Sequence, residues 1–240
     1  KIFRSIEDYN LNQRTILTIG TFDGVHEGHK KILNKLMSTS KKKSLSSVVL
    51  TFFPHPRIIL NKYNEVKMID TLDEKIKAFE KLGIENLIIH PFDKNFSLLS
   101  ADQFIKDNLI EKLKINHIII GYDHRFGKGR EASVDDLKKY GESFDFIVEE
   151  IKAHEVESIA VSSTKIRDSI NSGNLDKSAK FLGRFFKITG KVIKGDGLGK
   201  QINYPTANLY VEEIISPKLF KRFIKKEVCF EAEYVIKDEL

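Results

Sequence analysis

Short runs of β-branched and aliphatic residues alternate with longer amphipathic stretches through the first 150 positions of this chain. Thr15–Gly20, Ser46–Phe52, Asn86–His90, His117–Gly121 and Phe144–Glu149 read as strands. His29–Ser38, Leu72–Leu82, Ala101–Lys112 and Val134–Tyr140 carry apolar residues at helical spacing, as in Phe104, Ile105, Leu109 and Ile110. Strands that are apolar almost throughout, each followed by a helix, fit a parallel sheet covered on both faces. In such a sheet, ligands bind beyond the carboxyl ends of the strands. The chemistry is therefore expected in the segments that directly follow each strand.

The pattern changes after position 162. Ser162–Ser172 and Leu175–Leu182 read as two short helices, and from Phe185 the chain becomes glycine-rich and strand-like. We expect a first domain over residues 1–182 and a smaller β-rich module over 183–240. The whole is an α/β protein, with no internal repeat.

Composition narrows the classes. Hydrophobic residues make up 41% and charged residues 31% of 240 positions, enough for a buried core. No run approaches the roughly 18–20 uncharged apolar residues of a membrane span. The single cysteine, Cys229, excludes an internal disulfide framework and suits a reducing compartment, so a cytoplasmic protein is expected. The last four residues spell an ER-retention address, read here as coincidence because the other signs of secretion are missing. The net charge of +6 suits nucleotide phosphates as well as nucleic acid, and it is dispersed apart from short lysine clusters such as Lys41–Lys43.

Three segments lie where the sheet rule directs attention. Gly20-Thr-Phe22-Asp-Gly24-Val-His26-Glu-Gly28-His29 follows the first strand and leads into a helix. Glycines let backbone approach a ligand closely, and a helix N-terminus offers free N–H groups and a positive dipole end to an anion. His26 and His29, three apart, can both face one phosphate. A zinc site is a poor alternative, because no His-Glu-x-x-His pattern accompanies them. The second segment, Ser162-Ser163-Thr164-Lys165-Ile166-Arg167, supplies hydroxyls at a helix start and a guanidinium one turn on, although Ser there is also an ordinary N-cap. The third, Gly121-Tyr-Asp123-His-Arg125-Phe126-Gly127, suits a flat polar ring or its phosphate. It does not match a Walker A loop, and no dinucleotide-binding glycine fingerprint occurs elsewhere.

At these residues the chain resembles the prokaryotic bifunctional riboflavin kinase/FAD synthetases, whose FMN adenylyltransferase module belongs to the nucleotidyltransferase superfamily. The superfamily's paired motifs stand here as His26-Glu-Gly-His29 and Ser162-Ser163-Thr164-Lys-Ile-Arg167. Pro54-His55-Pro56-Arg57 and Gly121–Gly127 resemble the segments lining the flavin side. Gly190–Gly199 followed by Tyr204-Pro-Thr206-Ala-Asn208 resembles the start of the riboflavin kinase β-barrel.

The resemblance implies a Rossmann-like parallel sheet followed by a smaller β-barrel-like module. It implies attack of an FMN phosphate oxygen on the α-phosphorus of ATP, yielding FAD and pyrophosphate with Mg²⁺. His26, His29, Ser163, Thr164 and Arg167 would be catalytic. Gly20, Phe22, Gly24, Gly28 and Ser162 would join them around ATP, and Pro54, His55, Pro56, Arg57, Asp123, Arg125 and Phe126 would meet the flavin. Thr206 and Asn208 would hold Mg²⁺ in the kinase module. The family's barrel continues beyond this motif to a catalytic glutamate, whereas Ser216–Glu227 reads as a basic helix, so little kinase activity is expected of this chain. The expected partners are small molecules, neither nucleic acid nor membrane. A different phosphorylated acceptor, or nucleotide or RNA binding without turnover, is the alternative.

Overall fold

The computed structural model of the chain describes residues 1–60, 67–152, 161–189, 191–193 and 208–210. Its centre is a six-stranded sheet in the order β1-β4-β3-β2-β5-β6. The strands are β1 (Ile2–Phe3), β2 (Thr15–Ile19), β3 (Ser46–Phe53), β4 (Asn86–Pro91), β5 (Ile115–Gly121) and β6 (Ile147–Ile151). Every neighbouring pair is parallel.

Both faces of the sheet are covered, so the strands need apolar residues at successive positions rather than alternate ones. Leu17, Ile19, Val48, Leu50, Ile118 and Ile120 point to one side. They meet Val134 and Leu137 of α6 (Val134–Phe144) and Phe104, Ile105 and Leu109 of a π-helical segment. Ile16, Val49, Ile89 and Ile119 point the other way, onto Leu33 and Leu36 of α1 (Glu27–Lys43) and Ile76 and Phe79 of α3 (Leu72–Lys81). Burying a side chain such as Leu33 or Leu36 contributes roughly 1.5–3 kcal/mol. Two shorter helices, α2 (Pro56–Leu60) and α4 (Lys94–Ser97), follow β3 and β4.

From β2 the chain moves outward through β3 and β4, then crosses back to pair β5 with the other edge of β2. This reversal opens a crevice at the carboxyl ends of β2 and β5, where the first and third motifs begin. Beside it, α7 (Ser163–Asn171) and α8 (Leu175–Leu182) share a small core of Ile69, Val161, Ile166, Ile170 and Leu182.

Local assignments differ from expectation in four places. The strand expected at Phe144–Glu149 begins at Ile147, because the apolar face of α6 continues through Phe144, which stacks on Tyr140 with ring centroids 6.3 Å apart. Asp145, with a φ of 56°, then turns the chain into β6. Helix α1 runs further than His29–Ser38: His26 caps it, and Lys41, Lys42 and Lys43 lie in its last turn, where the dipole favours cations. The helix expected at Ala101–Lys112 begins as α5 (Ala101–Gln103) and continues over Phe104–Lys112 with the wider π-helical pitch. The two-residue strand β1, which adds a sixth strand to the five expected, is too short to show a period in sequence.

Beyond α8, strands β7 (Lys191–Ile193) and β8 (Asn208–Tyr210) pair antiparallel, and most of the module expected over 183–240 lies outside the described residues. Thr206, and the helix expected at Ser216–Glu227, lie outside the described residues. Asn208 opens β8. Among the described residues, no helix is long and apolar enough to cross a membrane.

Candidate active site

The loop from Gly20 to His26 leaves the centre of the sheet in an unusual conformation. Phe22 and Val25 take φ values of 47° and 37°, the left-handed region that a bulky or β-branched residue enters only when its surroundings enforce it. Gly24 also lies there, at 83°, pressed so closely that a Cβ would sit 3.0 Å from Ile69 and 3.2 Å from Leu182. Gly28 has an ordinary φ, but a Cβ on it would come within 3.2 Å of both the His26 ring and Val161. That last contact brings the start of the Ser-Ser-Thr segment against the first turn of α1.

His26 and His29 stack face to face, with ring centroids 3.6 Å apart and planes 16° from parallel. His26 Nδ1 accepts from the His29 backbone N–H at 3.3 Å, capping α1. A neutral imidazole accepting at Nδ1 carries its proton on Nε2. Burial is the main reason that the His26 pKa falls to about 4, and the nearby Lys30 ammonium adds to it. Burial likewise holds His29 well below the ordinary imidazole value, reinforced by His26 and Lys75. The buried Phe22 meets His29 edge-on at 5.2 Å and also packs on Phe79, supporting the ring from behind. His29 Nδ1 is buried without a hydrogen-bond partner among the described residues.

The second motif is tied to this loop. Ser162 caps α7, its hydroxyl accepting from Lys165 N–H at 3.3 Å. Ser163 donates to the Asp23 carbonyl at 3.0 Å. Arg167 donates from Nε to the Lys67 carbonyl at 2.7 Å and forms an ion pair with the Asp23 carboxylate. Asp23 Oδ1 in turn accepts from Ile69 N–H at 3.0 Å. Burial pushes the Asp23 carboxyl up, against the opposing pull of Arg167. Thr164, in the same helical turn, is exposed.

Two charged residues here carry no signal in the sequence. Lys75, on α3, donates to the Thr21 carbonyl and the Thr51 hydroxyl at the ends of β2 and β3, each at 3.3 Å. Burial lowers its pKa, while Asp23 and Asp70 oppose the shift. Asp70 is buried and paired with Arg184. A Glu-Lys dipeptide inside an amphipathic helix looks like solvated surface. The visible mark was the Thr71–Glu74 capping box at the start of that helix.

The segments expected to meet a flavin divide. Pro54 follows a cis peptide bond, and Pro56 and Arg57 begin α2. His55 Nδ1 accepts from Arg57 N–H at 3.1 Å, and the ring's pKa falls to about 4 through burial, helped by Arg167, Lys75 and Arg57. Arg167 and Lys75 thus lie close enough to influence both His55 and the Gly20–His26 loop with the histidines behind it. Asp123 and Arg125 are exposed and, with Tyr122, Arg130, Asp135 and Glu150, line an open polar recess of about 460 Å³ beyond β5 and β6. Phe126 is placed differently. It pairs with Ala132, packs toward Phe104 and is 8% exposed, so its ring belongs to the core.

Comparison with known proteins gives consistent findings. The FAD synthetase family model matches residues 8–165, and the riboflavin kinase family model matches residues 182–230. A bifunctional riboflavin kinase/FMN adenylyltransferase of Buchnera aphidicola (subsp. Schizaphis graminum) is 39% identical over 217 residues, covering 90% of this chain and 70% of the relative. The Escherichia coli K12 protein of the same name is 34% identical over 221 residues, with the same two shares. A solved structure titled macrolide-efflux protein, from Streptococcus pneumoniae, superposes with a TM-score of 0.78 at 30% identity, covering 90% of this chain and 70% of that one.

Proposed function

The chain belongs to the bifunctional riboflavin kinase/FMN adenylyltransferase family, and we propose that its phosphate loop and Ser-Ser-Thr segment form one adenylyl-transfer site for ATP and FMN. The activity itself, FMN adenylyltransferase, follows from the FAD synthetase match and the relatives. The observation that carries the site assignment is the tie between the two motifs: Ser163 bonded to the backbone of Asp23, and Arg167 to its carboxylate.

In the proposed reaction, a phosphate oxygen of FMN forms a bond to the α-phosphorus of ATP as the bond to the bridging α–β oxygen breaks. Pyrophosphate leaves with that oxygen's electron pair. The nucleophile is already anionic, so no side chain needs to remove a proton, and catalysis rests on alignment and charge stabilisation. The free Nε2–H of His26, together with His29, donates toward the α- and β-phosphates. Neutral rings suit this role, since a donor needs no proton of its own titrated at neutral pH. Thr164 and the start of α7 face the departing pyrophosphate, and Arg167, using one of its five N–H donors on Asp23 of the loop and another on the Lys67 carbonyl, offers others to it. Asp123 and Arg125 orient the flavin or ribityl end in the polar recess.

Among the described residues, no three His, Cys, Asp or Glu side chains cluster as a cage. A magnesium ion held by the nucleotide phosphates would neutralise their charge, the usual habit of that ion, and would need no such cage from the protein. A cytoplasmic location with small-molecule substrates accords with this reading. Supplying labelled ATP, FMN and Mg²⁺ should give labelled FAD and pyrophosphate. If another phosphorylated acceptor is adenylylated while FMN fluorescence does not change on titration, the acceptor assignment fails.

A further inference from the structure

The loop carrying the histidines is held from a place outside the FAD synthetase match. Three consecutive residues, Leu182 to Arg184, at the end of α8 and just beyond it, run against it. The Leu182 carbonyl accepts from Lys30 Nζ at 3.2 Å, and Lys30 also pairs with Glu27, both in the first turns of α1. The Leu182 side chain is fully buried and lies against Gly24. Gly183, with a φ of 65°, then reverses the chain, a conformation that any other residue enters at a cost. The reversal returns Arg184 over the loop, where its guanidinium donates to the Gly24 carbonyl at 3.3 Å and to Asp70 Oδ1 at 2.5 Å.

This contact answers a need of the loop. Gly24 lies between Phe22 and Val25, both held in the left-handed region, and backbone of that kind persists only where its neighbours over-determine it. Asp23 is fixed on one side by Arg167, Ser163 and Ile69. Arg184 fixes the other side, at the next residue. The two arginines also grip one segment, Lys67–Asp70, through the Lys67 carbonyl and the Asp70 carboxylate. The segment is thus held at both ends and the loop at two successive residues near its middle.

We propose that Arg184, a residue of the stretch matched by the riboflavin kinase family model, is a positioning residue for adenylyl transfer: by bridging Gly24 and Asp70 it sets the loop that aims His26 and His29. The functional boundary of the adenylyltransferase then lies beyond residue 184 rather than at 182. The proposal rests on the adenylyltransferase reading of the site.

The test is steady-state FAD synthesis by the full chain carrying Arg184→Ala, Arg184→Lys or Asp70→Asn, with thermal melting measured alongside. A displacement of about 1 Å at a reacting centre can cost about 10²-fold, so Arg184→Ala should lower kcat roughly 10- to 100-fold at temperatures well below its melting point. The KM for FMN should stay near that of the wild type. Arg184→Lys should recover part of kcat, and adding Asp70→Asn to Arg184→Ala should cost little more than either alone. If Arg184→Ala does not fold, the Lys and Asn variants carry the test. A lowered melting temperature with unchanged kcat in the folded variants would overturn the proposal. Wild-type protein that makes no FAD would instead overturn the reading beneath it.

Discussion

Asp23 and Arg167, 144 positions apart in sequence, form an ion pair in which the carboxylate is almost wholly buried and the guanidinium remains partly open to the crevice. The carboxylate also accepts from Ile69 N–H, so one side chain joins the phosphate loop, the segment before α3, and α7. Arg167 is therefore a structural tie as well as the cation proposed to face the leaving group. Its two roles separate on substitution.

Arg167→Ala should destabilise the fold by about 3 kcal/mol, the low end for breaking a buried pair because the guanidinium is partly solvated. Asp23→Asn keeps the shape and an acceptor for Ile69, so it should cost less. Urea midpoints for the two variants check the order; equal midpoints to wild type would show that the pair carries no weight.

His29→Ala should lower adenylyl transfer by about 10² to 10³ while circular dichroism stays native, as for loss of one charge-stabilising donor. His26→Ala should lose both rate and about 1 kcal/mol of stability, because the ring also caps α1. His26→Asn separates the two effects. Asparagine is a good N-cap, so the melting temperature should recover while the rate stays low.

Burial holds His26, His55 and His124 at about 4, below the ordinary imidazole value. As pH falls, the unfolded chain takes up protons before the native one does. The stability contributed by these neutral rings is complete above about pH 6.5 and lost progressively toward pH 4. The raised carboxyls of Asp23 and Asp70 act in the opposite sense, so a variant isolates the histidine effect. His124→Gln should flatten the fall in urea midpoint between about pH 7 and 5 relative to wild type. Parallel slopes would contradict it.

Lys75→Met preserves length and removes a buried cation that faces Thr21 and Thr51 and lies within electrostatic reach of His29. The same cation attracts the phosphates that His29 is proposed to meet, and removing a charged partner worth about 1.5–3 kcal/mol should raise the KM for ATP by about tenfold or more. Steady-state ATP titration at saturating FMN measures it.

Sequence patterning reached the sheet because its strands are buried on both faces and therefore show as apolar runs. Four of the five expected strands begin within two residues of where they lie. The strand after α6 was misplaced because Phe144, an aromatic β-former, completes a helical face begun at Val134. His26 and His29 were legible because the motif is contiguous and follows a strand. The Ser162–Arg167 segment gained meaning only beside them, and the structure brings both to one loop. Phe126 misled in the other direction, since a ring among polar residues looks exposed and here turns inward. Asp23, Asp70, Lys75 and Arg184 were invisible as a group. Their contacts span separations such as 46 and 114 positions, where neither periodicity nor spacing leaves a trace.

Those separations also order the making of the site in time. Synthesis proceeds from the N-terminus, and contacts between distant positions form only once both ends exist. The histidines leave the ribosome long before Arg167 and then Arg184. Until then Asp23 has, among the described residues, only the Lys75 ammonium as a nearby cation, and the loop lacks its ties to Ser163, Arg167 and Arg184. The histidines proposed to be catalytic are made early and are among the last groups to acquire their geometry, so a nascent chain is expected to bind no nucleotide productively before Arg184 is out.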